Sequence, residues 1–176
     1  PNPVSVRQTL DAQRATGAKL IEVDGRTALL NGESRERSVT ALLDELKQLS
    51  PLKTPVILAT TLGENVAETH QKGRGQGLSS GEVASRVAET LAKVAAKALE
   101  AAEFSGVVLL GGVTSFEVLK ALGAKAIAVQ GEVAAGIPIG RLLGGRWDGL
   151  HVVTKAGGFG SPTVVAEAAR RLGRLR

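Results

Sequence analysis

The fold class follows from one segment, Val107-Val-Leu-Leu-Gly-Gly-Val-Thr-Ser-Phe-Glu117. Its first four residues are apolar and two are β-branched, which is typical of a buried strand, and the two glycines end that strand. Thr114 and Glu117 have the spacing of a capping box, so a helix is expected to begin there. The segment therefore predicts a strand, a glycine turn and a helix N-terminus.

Such a turn is suited to anion binding. Glycine has no Cβ, so its backbone N–H groups can approach a phosphate closely, and the helix dipole adds partial positive charge. The segment is neither the six-position dinucleotide fingerprint nor a P-loop, because no Gly-Lys-Ser/Thr follows the glycines. On this segment alone, an ordinary structural turn is slightly favoured over a phosphate site.

The rest of the chain alternates predicted strands and helices. Cap and stop residues, such as Asn2 or Ser5 before Gly17 and a second capping box at Ser79 and Glu82, support the helices. The periodicity predicts strands at 18–24, 55–60, 124–133 and 150–154, and helices at 1–16, 33–49, 83–102, 114–122 and 163–172. Residues 61–80 are expected to form a polar loop and residues 135–145 a turn-rich connection. Alternation of this kind predicts an α/β fold, a mainly parallel sheet with helices on both faces in a Rossmann-like three-layer architecture, as a single domain over residues 1–176.

A second glycine segment, Lys155-Ala-Gly-Gly-Phe-Gly-Ser-Pro162, follows the last predicted strand. Ser161 is the expected helix cap and Pro162 the first helical residue. Ligands of open α/β sheets bind beyond the C-terminal ends of the strands, where both glycine segments are expected to lie. Their convergence on one polyphosphate raises the phosphate interpretation above the structural one.

Composition excludes several classes of function. The chain has no cysteine and two histidines, so thiolate chemistry is excluded and a metal site formed by protein ligands is not expected. The net charge of +5 comes from scattered basic residues without interleaved aromatic residues, which argues against nucleic-acid binding. No apolar run approaches the roughly 20 residues that span a bilayer, and no signal peptide is visible, so neither membrane contact nor export is expected. The expected location is the cytoplasm.

Three segments together resemble the C-terminal nucleotide-binding domain of the four-carbon acid sugar kinase family, which includes the 3-oxo-tetronate and threonate kinases. They are Gly111-Gly-Val-Thr-Ser115, Gly131-Glu-Val-Ala-Ala-Gly-Ile-Pro138 and Thr154-Lys-Ala-Gly-Gly-Phe-Gly160. The opening Asn2-Pro-Val-Ser-Val-Arg-Gln8 is similar to the start of that domain, so the resemblance covers essentially the whole chain. Val113 stands where many relatives have an acidic residue, and Asn2 where many have a serine.

The resemblance implies an ATP-dependent phosphotransferase that acts on a terminal hydroxyl of a four-carbon sugar acid. A separate N-terminal domain binds the sugar acid and supplies the catalytic base in that family. This sequence contains no counterpart of that domain, so no catalytic residue is assigned and the chain is expected to be inactive by itself. The sugar acid is a partner only through the missing domain.

The expected cofactors are ATP and Mg²⁺, with Mg²⁺ held mostly by phosphates and water. The implied nucleotide-binding residues are Gly111, Gly112, Val113, Thr114, Gly157 and Gly158. Lys155 is a candidate phosphate contact, and a solvated lysine at a strand end is about equally compatible with the sequence. Glu132 and Asp148 are more readily explained as structural acids than as groups that orient a metal-bound water.

One alternative function stays open. A stand-alone nucleotide- or phosphate-binding module with a regulatory or scaffold role would use the same glycine segments. The sequence gives no indication of the oligomeric state or of which sugar acid is the substrate.

Overall fold

The computed structural model describes residues 2–48, 54–60 and 65–175. The segment 49–53 and part of the predicted 61–80 loop, residues 61–64, lie outside the described residues, as does the end of the predicted 33–49 helix. In chain order the elements are α1 (Pro3–Thr16), β1 (Lys19–Glu22), a 3-10 helix (Gly25–Leu29), α2 (Gly32–Gln48), β2 (Val56–Ala59), α3 (Asn65–Gly75), α4 (Ser80–Ala101), β3 (Gly106–Leu110), α5 (Gly112–Ala121), β4 (Ala126–Ala134), β5 (Ile137–Leu143), β6 (His151–Lys155) and α6 (Val164–Gly173).

The strands form two sheets. β1 and β2 pair in parallel. The larger sheet has the order β3-β6-β5-β4, in which only the β3–β6 pair is parallel and the two pairs that include β5 are antiparallel. The predicted α/β class is confirmed, but the prediction of a mainly parallel sheet is wrong.

The missed strand β5 accounts for that error. Its residues fall within the segment predicted to be a turn-rich connection, where glycine, proline and arginine interrupt the apolar pattern. β5 nevertheless buries its alternate residues Ile137 and Ile139, and Gly136 at φ 73° closes a short turn back from β4. A two-residue connection of this kind can only join antiparallel neighbours.

The larger sheet is covered on both faces. Val153, Ile137 and Ile139 on one face pack against α6 and the adjoining α1. Val152 and Leu142, which alternate with them, pack on the other face with residues of α4 and α5 such as Leu99 and Val118. A third cluster joins β1 to α2 and α4. The larger sheet therefore has helices on both faces.

Two helix boundaries differ from their predictions. α5 begins at Gly112 with Gly111 as its N-cap and no side-chain cap, so the capping box predicted at Thr114 and Glu117 does not form. Glu117 is instead buried and pairs with Lys120 at 3.2 Å. α6 is likewise without a side-chain cap, so the cap predicted at Ser161 is wrong. The predicted caps at Asn2 and at Ser79 with Glu82 are confirmed.

The prediction of a loop over residues 61–80 is also wrong, because α3 occupies residues 65–75. The glycines of this segment are typical of irregular backbone when only the sequence is considered. A Cβ at Gly73 would lie 2.2 Å from a methyl carbon of Val83 on α4, so this glycine permits close contact between the two helices. The residue type reflects packing here and not a need for irregular backbone.

Glycine also permits close strand pairing in the β4–β5 hairpin, which provides a stability test. A Cβ at Gly140 would lie 2.3 Å from the carbonyl oxygen of Ala128, whereas Gly131 in the same hairpin has open space around it. We expect Gly140→Ala to lower the free energy of unfolding by roughly 3 kcal/mol, the upper range of overpacking. Gly131→Ala is the matched control and should melt close to the wild type. Equal melting temperatures for the two variants in thermal denaturation would contradict this packing.

Candidate functional site

The first glycine loop, residues 111–114, comprises Gly111, which is the single residue between β3 and α5, and the first three residues of α5. Gly111 has φ 89° and ψ 142°, a conformation open essentially to glycine alone, and Ser115 closes the turn by donating its N–H to the Gly111 carbonyl at 2.9 Å. A helix begins with backbone N–H groups that have no intrahelical partner, and no side chain caps those of α5. A Cβ at Gly112 would meet nothing within 4 Å. Among the described residues none accepts a hydrogen bond from the N–H groups of Gly112, Val113 or Thr114.

The second glycine loop, residues 156–161, leaves β6, the strand adjacent to β3. In the parallel register Leu110 is opposite Lys155, so the two strands end side by side. The N–H of Gly111 donates to the carbonyl of Lys155 at 2.9 Å, which joins the two loops at their base. The adjacency predicted for the two glycine segments is present in the fold.

Lys155 lies beneath the second loop and holds its backbone. Its side chain is 3% exposed, and burial lowers the pKa of its ammonium below the ordinary value. The Nζ donates to the carbonyl oxygens of Ala156 at 3.2 Å and Phe159 at 3.0 Å, and also to that of Gly157. The lysine is thus neither solvated nor directed at open space. It binds the inner side of the loop.

The first helix holds the same loop from a distant part of the chain. Ser5 Oγ donates to the carbonyl of Gly157 at 2.6 Å. Gln8, which is 1% exposed, donates through Nε2 to the three carbonyls of residues 159–161 at 3.2, 3.0 and 2.8 Å. Its Oε1 is buried without a hydrogen-bond partner among the described residues. Every carbonyl from residue 156 to 161 except that of Gly158 therefore accepts an inward hydrogen bond from Lys155, Ser5 or Gln8.

The direction of the carbonyls fixes the direction of the amides. In a planar trans peptide, C=O and the following N–H point in opposite directions. Because the carbonyls of Ala156, Gly157 and Phe159 face inward, the N–H groups of Gly157, Gly158 and Gly160 face away from Lys155. Among the described residues none accepts a hydrogen bond from the N–H of Gly157 or Gly158. The second loop presents a row of outward backbone donors, which is the arrangement that binds anions.

Apolar side chains are exposed beside both loops. The sequence has three phenylalanines. Two of them are exposed, Phe116 on α5 at 64% and Phe159 in the second loop at 52%, as is Val113 at the start of α5. The Phe159 ring lies over Gly136 of the β4–β5 turn, where a Cβ would be 2.9 Å from a ring carbon. The surface around the donors is therefore partly apolar.

The residues predicted to bind nucleotide lie in this one region. Gly111, Gly112, Val113 and Thr114 form the first loop, and Lys155, Gly157 and Gly158 the base and tip of the second. Their contact with a nucleotide stays a prediction. Sequence patterns did not identify Ser5 and Gln8 as site residues, although both are polar residues on one helical face of α1. That face would be expected to be apolar if it packed only against α6.

The described residues contain no group of three or more His, Cys, Asp or Glu side chains that could hold a metal ion. Glu132 accepts the N–H of Gly136 at 3.2 Å and Asp148 that of Gly144 at 2.6 Å, so both acids stabilise turns. No helix in the described part of the chain is long and apolar enough to cross a bilayer.

A cavity lies at the opposite end of β3 and β6. Its volume is about 720 Å³. It is lined by the end of α4, by the segment that leads into β3, by Trp147, and by His151 at the start of β6. β3 and β6 run from this cavity towards the glycine loops. The cavity is therefore separate from the row of backbone donors.

Comparison with known proteins identifies relatives over nearly the whole chain. Residues 2–165 match the family model described as a nucleotide-binding C-terminal domain. A D-threonate kinase of Bordetella bronchiseptica is 44% identical over 105 residues, which cover 60% of this chain and 25% of the relative. A 3-oxo-tetronate kinase of Cupriavidus necator is 30% identical over 95% of this chain and 43% of the relative. The chain thus corresponds to less than half the length of these kinases.

A solved structure has the same fold. It is a domain of unknown function from Bordetella bronchiseptica, crystallised with bound citrate as a domain-swapped dimer. It has a TM-score of 0.76 and 30% sequence identity, and the match covers 97% of this chain and 38% of that one. The fold of this chain is therefore one already observed within a longer protein.

Proposed function

This chain belongs to the family of nucleotide-binding C-terminal domains, and from that membership we propose that it binds the phosphates of ATP between its two glycine loops. One observation carries the proposal. Two neighbouring parallel strands, β3 and β6, end in glycine loops, and among the described residues none accepts a hydrogen bond from the N–H groups of residues 112–114 in the first loop or of 157 and 158 in the second. A polyphosphate has several oxygens that can accept from both loops at once.

We further propose that the chain is the ATP-binding part of a kinase that phosphorylates a four-carbon sugar acid of the tetronate or 3-oxo-tetronate class. Phosphoryl transfer needs positioning and charge neutralisation more than covalent chemistry from the protein, and oriented backbone donors supply both. The curated relatives are kinases of this substrate class. Binding of the sugar acid and its deprotonation would depend on protein outside this chain.

Mg²⁺ enters this proposal with the nucleotide. It would neutralise charge on the phosphates while the two loops orient them. The chain itself would fix the positions of the phosphates. Gly111 and Gly112 leave room for them because glycine has no side chain.

The exposed rings favour a nucleotide over a bare phosphate as the ligand. Phe116 and Phe159 offer apolar surface within the same region as the backbone donors. A base that covers such a ring removes apolar area from water, which contributes about 25 cal/mol for each Å² buried. The alternative, a stand-alone phosphate-binding module with a regulatory or scaffold role, gives no reason for these rings to be exposed there.

Calorimetric titration of the purified chain with Mg-ATP, Mg-ADP and inorganic triphosphate tests the proposal. We expect one site, and tighter binding of Mg-ATP than of Mg-triphosphate because only the nucleotide covers apolar surface. Binding of triphosphate alone would favour the phosphate-binding module. Absence of binding for all three would contradict nucleotide binding by this chain.

Activity is tested separately. We expect the isolated chain to release no ADP from ATP in the presence of D-threonate or a 3-oxo-tetronate. The reason is that the catalytic base of the family is supplied by its N-terminal domain. A coupled ADP-release assay would measure this. Sustained sugar-acid-dependent turnover by the isolated chain would contradict the division of labour that we propose.

A further inference from the structure

The ammonium of Lys155 is a buried charge. Among the described residues it forms no ion pair, and its hydrogen bonds go to the neutral carbonyls of Ala156, Gly157 and Phe159. Burial of a cation is costly unless it is paired with an anion. Gln8 Oε1 is a second uncompensated polar atom behind the same loop. Two such groups at one place indicate that the local structure is maintained for something other than stability.

The peptide dipoles of the second loop are oriented by this charge. The carbonyl oxygens of Ala156, Gly157 and Phe159 are drawn to Nζ, and the peptide units that carry them therefore point their N–H groups to the opposite side. Each of these peptide dipoles is oriented with its negative end at the lysine and its positive end outward. An anion outside the loop would meet aligned N–H groups backed by a full positive charge.

From this geometry we propose that Lys155 is a positioning residue that works from behind the second glycine loop. It orients the N–H groups of the loop towards a polyphosphate, and its charge attracts that polyphosphate without contact between Nζ and a phosphate oxygen. The inference rests on the proposed function, since it concerns how the same site holds its ligand. It differs from both sequence-based alternatives for Lys155, a direct phosphate contact and a solvated lysine at a strand end. The missing counter-ion of Lys155 is then the ligand itself.

The role of charge is separable from the role of loop anchoring, because the chain offers a neutral anchor for comparison. Gln8 holds three carbonyls of the same loop and carries no charge. Loss of anchoring alone should weaken all anions by a similar factor, whereas loss of the charge should weaken highly charged anions most. The difference between the two residues therefore lies in how the effect depends on the charge of the ligand.

The first experiment measures the affinities of wild-type protein, Lys155→Met, Lys155→Gln and Gln8→Met for orthophosphate, pyrophosphate and triphosphate. We expect Lys155→Met to weaken triphosphate by about 30-fold, a size consistent with a charge–charge attraction across a partly buried site, and orthophosphate by much less. Gln8→Met should weaken the three anions by one common factor. Lys155→Gln retains donors without charge and should restore loop order but not the preference for triphosphate. Lys93→Met, which removes an exposed lysine paired with Glu36 on another surface, is the control for net charge.

The second experiment distinguishes an indirect from a direct role without using affinity. Amine acetylation followed by mass spectrometry should leave Lys155 unmodified both in the free protein and with triphosphate bound, because its side chain is buried in either state. A lysine that contacts phosphate from the solvent side would be modified in the free protein and protected by the ligand, and that result would overturn the proposal.

The outcomes separate this inference from the proposed function. If the wild-type chain binds no anion, both fail. If it binds triphosphate and Lys155→Met binds it equally well, only the inference fails. If Lys155→Met and Gln8→Met both weaken every anion by the same factor, Lys155 is a structural anchor and the role of its charge is overturned.

Discussion

Gly112→Val is expected to weaken the binding of Mg-ADP by roughly 10- to 100-fold, the effect of losing about one hydrogen bond to a charged group. The fold should tolerate the change, because a Cβ at this position meets nothing within 4 Å and φ is not positive. The new side chain would occupy the space next to the free N–H groups of α5. Phosphate would be excluded while the helix remains intact.

A matched control is available in the same chain. Gly32 is the first residue of α2, as Gly112 is of α5, and a Cβ there also meets nothing within 4 Å. Gly32→Val should therefore share any general effect of valine in a first helical turn but bind Mg-ADP like the wild type. Calorimetry and thermal denaturation of both variants make the comparison. A folded Gly112→Val protein with unchanged affinity would contradict the placement of phosphate at this turn.

Gly111→Ala is expected to lower stability as well as nucleotide affinity, although it adds only one methyl group to the residue before Gly112. Gly111 has φ 89° and ψ 142°, and the cost of such a conformation for another residue is about 1–3 kcal/mol. For a chain of this size the melting temperature should fall by about 2–4 °C for each kcal/mol, that is by roughly 2–12 °C. Relief of the strain would move the start of α5, so affinity for Mg-ADP should decrease too.

Gly112→Ala is the control for this prediction, since it adds the same methyl group in the same loop without a positive φ. Its melting temperature should stay close to that of the wild type. If Gly111→Ala were as stable as Gly112→Ala, the left-handed backbone at Gly111 would not be a requirement of the turn.

The sequence predicted those parts of the fold that depend on local pattern. β3 and the strand β6 are short apolar runs bounded by glycine, and Asn2 and Ser79 are caps in recognisable settings, so each was predicted close to its observed position. The adjacency of the two glycine loops also followed, because both leave the same edge of an α/β sheet. These are features that a few neighbouring residues determine.

The errors arise where a residue serves a distant contact. Gly73 and Gly140 suggested irregular backbone, but they allow close approach of α4 and β4 respectively. Pro138 and Gly140 interrupt the apolar pattern of β5, so the sequence does not predict this strand. Because β5 pairs antiparallel with both of its neighbours, the sheet is mixed and not mainly parallel. Only the packed structure distinguishes a glycine needed for space from a glycine needed for a turn.

The candidate site likewise contains residues that a local sequence pattern identifies and residues that it does not. Its glycines were visible in the sequence because phosphate-binding turns have a local signature. The groups that orient the second loop were not, since Gln8 is separated from its carbonyl partners by more than 150 residues. Lys155 was recognised as a site residue, but its direction could not be inferred, because a lysine at a strand end can extend to solvent or turn beneath the following loop.

Amide resonances of the two loops offer the sharpest test that they bind one nucleotide together. In a titration of isotope-labelled protein with Mg-ADP, followed by NMR, the N–H signals of Gly112, Val113, Gly157 and Gly158 should shift and saturate with a single dissociation constant. The same titration of Gly112→Val should show little change at either loop. Shifts confined to one loop, or centred on the cavity near Trp147 at the opposite end of β3 and β6, would contradict a shared phosphate site.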